Sequence, residues 1–366
     1  MKRYALLPVL AAAFACTYLP APGTPSPTPG GKPQQPPRTQ AAEACTPTLP
    51  EENPESRAYE TVLEDFEVVV PSGNTLYGLI RRPDPAEHPG LCLAAVVLVP
   101  GGINPGRTAA LSDEAEMLSA AGMVVLTFNA EGRVDERALQ DKQSEGTEDY
   151  DGFRGQDGLR AVVEYALALP YVIADNVGIR SQSYGITMAA GCLGRYPDLP
   201  VKYLVDGEGP PDSYVTCKET WSLDADPAND QIDLIFGILG RYSTDRNPSD
   251  ENIAFWAERE AIRFIGGYRG RYLRLQATWD HAQPPSNQNE VADFDLPPLW
   301  WQNKHAAEII NAAVAGGVPW VRVNLAEQGN PVNATFDREH PPAYLPGALE
   351  DKPWAVRAIL EMARMP

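Results

Sequence analysis

Histidine is scarce in this chain: His88, His281, His305 and His340 are the only four among 366 residues. A reaction that needs an imidazole therefore has few places to find one. The five cysteines include no Cys-x-x-Cys and no Cys/His pair at zinc spacing, which argues against a structural metal. Basic residues are short as well, 30 Lys and Arg against 49 Asp and Glu, for a net charge of −19. Phosphate backbones are held by a basic footprint, so no nucleic-acid partner is expected. The apolar stretch Ala5 to Ala15 is too short for a bilayer span, which needs about 18 residues. With 43% hydrophobic residues, the chain has material for a large core and reads as neither disordered nor polytopic.

Proline is in excess, 36 residues where about 5% is usual. Ten of these lie between Thr17 and Pro50, in a stretch with almost no large apolar side chains. Such a segment cannot bury enough surface to offset its ordering entropy, and residues 17–50 read as an extended tether. Ahead of it, Met1-Lys2-Arg3, the apolar run and Cys16 have the layout of a secretory signal over residues 1–16. Ala13-Phe14-Ala15-Cys16 resembles a bacterial lipobox, which implies cleavage before Cys16 and its lipidation, with simple secretion as the alternative. The expected location is extracytoplasmic, and any membrane contact runs through Cys16. Lys2, Arg3, Lys32 and Arg38 against Glu43 give the first fifty residues +3, leaving −22 for residues 51–366 of a chain that totals −19. In an oxidising compartment, Cys45 with Cys92 and Cys192 with Cys217 are the expected bridges; free buried thiols are the alternative.

Residues 51–366 read as one α/β domain. Thr61 to Val70 and Thr75 to Arg82 flank the turn cluster Pro71-Ser72-Gly73-Asn74, which predicts a hairpin. Leu93 to Val99 is a continuous apolar run, the mark of a strand buried on both faces. Further strands are predicted at Met123 to Phe128, Val177 to Arg180, Val201 to Val205, Tyr272 to Thr278 and Trp320 to Leu325. Helical spacing occupies Ala109 to Ala121, Gly155 to Leu169, Tyr184 to Arg195, His305 to Ala315 and Trp354 to Ala363. This alternation predicts a mostly parallel sheet with helices on both faces. Residues 209–270 break the rhythm and predict a helical lid insertion over the ligand-binding edge.

The most informative segment is Arg180-Ser181-Gln182-Ser183-Tyr184-Gly185, where a predicted strand meets Ser-x-Ser-x-Gly and a helix follows at once. It resembles the nucleophile elbow of the α/β-hydrolase fold, with Ser181 in place of the first glycine. Small residues are needed on either side of the serine because the turn is strained and neighbouring backbone comes close. Val99-Pro100-Gly101-Gly102-Ile103 ends the earlier strand where that family carries its oxyanion loop. Phe128-Asn129-Ala130-Glu131-Gly132-Arg133 and Ser144-Glu145-Gly146 resemble the following loop of dienelactone-hydrolase and prolyl-oligopeptidase-like members. The resemblance covers roughly residues 60–366 and implies an eight-stranded sheet.

It also implies a serine hydrolase acting on an ester or peptide bond of a small molecule or peptide, with Ser183 as nucleophile and no cofactor. Backbone N–H groups of Tyr184 and of Gly102 or Ile103 are the implied oxyanion donors. Asp280, after the seventh strand, is the implied acid, with Asp206 as second choice. Asn330 occupies the place expected of the base, so His340, farther along the same loop, is the candidate, with His281 and His305 as alternatives. His88 reads as a surface residue. Trp221, Trp256, Trp279, Trp300 and Trp301 fall near the lid, either lining a pocket or packing in the core. The absent histidine at 330 motivates the other reading, a non-catalytic surface binding or scaffold protein that keeps the elbow without a base.

Overall fold

Strand Leu91–Val99 shows why this chain builds a two-sided sheet. Leu93, Ala95, Val97 and Val99 enter one apolar cluster, while Ala94, Val96 and Leu98 enter the cluster on the opposite face. Period-2 alternation sends successive side chains to opposite faces, so a strand apolar at every position must be covered on both. The computed structural model describes residues 45–102, 104–110, 112–133, 143–213, 244, 247–276, 298–324 and 353–366, all within the unit Pro33–Pro366. The expected signal segment with Cys16, and most of the expected tether, lie outside the described residues.

The strands are β1 (Thr46–Thr48), β2 (Thr61–Val69), β3 (Thr75–Pro83), β4 (Leu91–Val99), β5 (Val124–Phe128), β6 (Val172–Gln182), β7 (Tyr203–Gly207), β8 (Arg271–Leu275) and β9 (Trp320–Val323). They form one sheet in the order β2-β3-β5-β4-β6-β7-β8-β9, with β1 paired to the start of β4. The hairpin β2–β3 is antiparallel, β3 runs antiparallel to β5, and the remaining pairings are parallel.

Helices α1 (Gly106–Ala110), α2 (Asp113–Ala120), α3 (Phe153–Ala168), α4 (Gly185–Arg195), α5 (Asp250–Ala257), α6 (Pro298–Ala315) and α7 (Pro353–Arg364), with two 3-10 turns at Ala261–Arg263 and Ile265–Gly267, complete the described elements. Residues of α3, α4 and α6 join the cluster on one face, and residues of α2 and α7 join the cluster on the other. The predicted helix over residues 109–121 is two pieces because Ser112 caps α2. Its Oγ accepts from Ala115 N at 3.2 Å and donates to Ala109 O at 2.7 Å, closing off the earlier turn.

Two sequence expectations are corrected. Among the described residues the sheet has nine strands, not eight, because regular structure begins before residue 51: β1 pairs with Leu91–Leu93, and the Cys45–Cys92 disulfide fastens it there. The second expected bridge, Cys192 with Cys217, is absent. Cys192 is a free thiol packed under the sheet from α4, and burial pushes its pKa well up, which makes it an inert apolar filler. Most of the expected insertion over residues 209–270 lies outside the described residues, and its described end packs with the core. Ala261, Ile265 and Tyr268 belong to the main core cluster, and Gly266 meets Gly316 so closely that a Cβ on Gly266 would stand 2.9 Å from the Gly316 Cα.

The Cys45–Cys92 bridge closes a loop across a sequence separation of 47. By the chain-entropy relation, such a crosslink removes about 4 kcal/mol of unfolded-state freedom. Cys45→Ser is expected to lower the urea-unfolding free energy by about that much. A loss below about 1 kcal/mol would show that the bridge contributes little to holding the domain.

Candidate active site

β6 ends at Gln182 and α4 begins at Gly185, leaving a two-residue turn with Ser183 at its apex. Ser183 has φ +48°, in the left-handed region that costs a residue with a Cβ about 1–2 kcal/mol. The turn is pinned on both sides: Ser183 N donates to Gly207 O at 2.7 Å, and Ser183 O accepts from Ile186 N at 3.1 Å. A Cβ on Gly185 would stand 2.7 Å from Pro100 O, and one on Gly101 would stand 3.0 Å from the Ser183 Cβ. The backbone of the Pro100–Gly102 loop therefore lies directly on the serine turn. Ser181, at the place of the first small residue, is fully buried between its ladder partners Val99 and Asp206.

Tyr184 opens α4, where backbone N–H groups have no partner within the helix itself. Its ring is buried and packs against Trp256, and its hydroxyl donates to Tyr150 O at 3.1 Å. Of the tryptophans near the expected lid, Trp256 is thus core, directly beneath the elbow. Gly102 also carries a positive φ, +58°, beside the serine turn.

Asp280, His281 and His340 lie outside the described residues, as do Ile103, Trp221, Trp279 and Asn330. His305 is the eighth residue of α6 rather than its first, about 10 Å along the axis from Pro298 at 1.5 Å per residue. His88 follows β3, whose C-terminal end lies at the opposite edge from Ser183. Gly78 pairs with Phe128 at the end of β5, while Arg81 pairs with Val125 near its start. The His88 ring meets Tyr59 edge-on at 4.9 Å.

Asp206 is corrected as the second-choice acid. It is fully buried, with Arg274 Nη1 at 2.5 Å and the Tyr272 hydroxyl at 2.9 Å on Oδ2, and Ser181 Oγ at 3.5 Å from Oδ1. Arg274 in turn donates to Gly209 O and to Gln276 Oε1. Both oxygens of Asp206 are engaged inside the sheet, so its role is to bind strands together.

A second buried ionic cluster reaches the loop after β4 at Asn104. Arg133 donates Nε and Nη2 to Glu148 at 2.8 and 3.1 Å, Nη2 to Asp151 at 2.7 Å, and Nη1 to Asn104 O at 3.4 Å. Burial works against the Arg133 charge, yet Asp151 and Glu148 hold its pKa above the ordinary value. Burial pushes Asp151 up to about 6, with Arg133 pulling the other way and Glu148 and Asp149 adding to the rise. Sequence reading had marked Gly132-Arg133 only as a loop signature. Its carboxylate partners lie 15 and 18 residues away in sequence, and no periodicity announces such a spacing. Among the described residues no group of His, Cys, Asp and Glu is arranged to hold a metal ion.

Two measurements test this geometry. Ser183→Gly is expected to be more stable than Ser183→Ala by roughly 0.5–1 kcal/mol, because glycine adopts positive φ without the Cβ penalty; equal stability would contradict the left-handed turn. For Asp151, the folded value near 6 lies above the unfolded value of about 3.9. Its contribution is thus fully present below about pH 4 and is lost as pH rises through about 6. The stability of the wild type relative to Asp151→Asn, by urea unfolding, should therefore fall between pH 4 and pH 7. A pH-independent difference would contradict the buried carboxylate.

Comparison with models of protein families and with curated proteins gives no match. Among solved structures, a puromycin-hydrolyzing peptidase of Mycobacterium tuberculosis is similar over 83% of this chain and 38% of its own, at 16% identity and a TM-score of 0.52. Dipeptidyl peptidase 4 of Porphyromonas gingivalis is similar over 73% of this chain and 32% of its own, at 16% identity and a TM-score of 0.47. An acetyl xylan esterase from Paenibacillus sp. R4 is similar over 74% of this chain and 79% of its own, at 12% identity and a TM-score of 0.47. This chain spans about a third of the peptidase chains it matches, and at such identities likeness speaks of fold alone. The mixed sheet, its strand order and the strand-serine-helix turn together give this protein the α/β-hydrolase fold.

Proposed function

We propose that this protein is an extracytoplasmic serine hydrolase that cleaves an ester or peptide bond through an acyl-enzyme on Ser183. The observation that carries the reading is the left-handed Ser183 at the strand-to-helix turn, with the Gly101–Gly102 backbone packed against it. Strain at one polar residue, over-determined by its surroundings, marks functional sites. A half-buried hydroxyl at the parallel edge of the sheet also suits a nucleophile.

Ser183 Oγ attacks the carbonyl carbon while His340 takes its proton, and Asp280 holds the imidazole tautomer. The carbonyl oxygen, now an anion, accepts from the backbone N–H of Tyr184 and of Gly102 or Ile103, each donor being worth about 3 kcal/mol. Collapse expels the alcohol or amine, protonated by His340, and water repeats the sequence to free Ser183. His281 and His305 are the alternative bases. The Cys45–Cys92 bridge supports an oxidising compartment, and the lipobox-like Cys16 supports either anchoring or secretion. Among the described residues no helix is long and apolar enough to cross a membrane.

A fluorophosphonate probe tests the reading. The folded wild type is expected to label and Ser183→Ala is not; an unlabelled folded wild type would leave the non-catalytic scaffold as the surviving reading. His340→Gln is expected to lower ester turnover roughly 10³-fold or more. If His281→Gln or His305→Gln has that effect instead, the base is reassigned and the nucleophile stands. Turnover of p-nitrophenyl esters against aminoacyl p-nitroanilides separates esterase from peptidase.

A further inference from the structure

The Arg133 cluster connects to the serine turn from two sides. On one side, Arg133 Nη1 donates to Asn104 O at 3.4 Å. The Asn104 side chain reaches back to Gly101 O at 2.7 Å, and Gly101 lies against Ser183. On the other side, the same guanidinium grips Glu148 and Asp151. Glu148 Oε1 also accepts from Tyr150 N at 2.9 Å, and Tyr150 O accepts from the Tyr184 hydroxyl at 3.1 Å. Three chain segments thus meet at one cation: the loop after β4, the loop after β5 and the corner before α3.

Two features set this apart from ordinary loop stitching. Tyr150 and Asp151 are consecutive non-glycine residues at φ +55° and +64°, a conformation that persists only where the surroundings over-determine it. A cation buried with two carboxylates is moreover a poor way to gain stability, since apolar side chains of the same volume do as well or better. Its forked, planar donors fix geometry, which a lysine ammonium cannot do. The other charged groups facing the cluster are Asp149 and Arg259. Arg259 Nε donates to the carbonyls of Asp149 and Tyr150 at 3.1 and 3.2 Å, so the corner is braced from the far side as well.

We propose that Arg133 is a positioning residue for the oxyanion hole, aligning its two walls through Asn104 and Gly101 on one side and through Glu148, Tyr150 and Tyr184 on the other. The proposal rests on the reading of Ser183 as nucleophile. Donor placement matters because an oxyanion hole acts only if its N–H groups already stand where charge will develop, and displacements of about 1 Å cost up to about 100-fold in rate.

The test uses the full chain, p-nitrophenyl acetate, and active-site titration with a fluorophosphonate, so that kcat is expressed per labelled serine. Arg133→Lys is expected to lower that kcat about 10- to 100-fold with KM within about twofold. It should weaken an alkyl trifluoromethyl ketone, whose adduct carries the oxyanion, by the same factor. Glu148→Gln, which keeps shape and leaves a less enclosed partner, should act in the same direction; it stands in for Arg133→Lys if that variant does not fold. The double variant should be no worse than the worse single, since the pair acts as a unit. If both variants lose labelled fraction or thermal stability while kcat per labelled serine and ketone affinity stay at wild-type values, the cluster is structural and the proposal is overturned. A wild type that labels but gives indifferent variants sinks the positioning role alone, whereas a folded wild type that never labels sinks the hydrolase reading and this proposal together.

Discussion

Backbone meets backbone at the top of this sheet, and the rest of the cleft is arranged around that contact. The Pro100–Gly102 segment leaves β4 and packs on the turn between Gln182 and Gly185, leaving little room for a side chain at Gly101 or Gly185. This is a steric constraint before it is a chemical one. It favours glycine at 101 and 185 and holds the loop backbone against the left-handed Ser183. A close contact of that kind tolerates little drift, so the elements on either side must be stiff.

Stiffness comes from two buried ion clusters with different duties. Asp206 and Arg274 lie inside the strands, satisfied by Tyr272, Ser181, Gly209 and Gln276, and they knit β6, β7 and β8 beneath the serine. Arg133 with Glu148 and Asp151 works among loops, where no ladder of backbone hydrogen bonds could do the task. Each cluster balances most of its charge locally, as a low-dielectric interior requires. Aromatic packing of Tyr184 on Trp256 then closes the space between them.

The sequence made the sheet legible because its strands are apolar on both faces, and a run such as Leu93 to Val99 has few other fates. The serine turn was legible for a local reason, small residues at fixed offsets in a strand-to-helix context. What escaped is long-range. Nothing in Thr46-Pro47-Thr48 marks a strand, because β1 owes its existence to a crosslink 47 residues away. Cys192 looked pairable only because its burial on the core-facing side of α4 is invisible in one dimension. Asp206 stood as a second-choice acid, and nothing in its neighbours announces the grip of Arg274, 68 residues on. The close approach of Gly266 to Gly316 is equally silent in a segment without strong periodicity.

The Cys45–Cys92 bridge also determines how the domain bears load. A three-residue strand such as β1 would peel away under a modest pull, one hydrogen bond at a time. The covalent link instead delivers any tension from the preceding chain to Cys92, near the start of β4, which β6 flanks from Leu93 to Val99 and β5 from Ala95 to Val97. Pulled there, the sheet resists in shear, with several bonds loaded at once. Whatever drags on the chain ahead of residue 45 is thus transferred to a strand paired on both sides, one that runs on to the loop lying on Ser183.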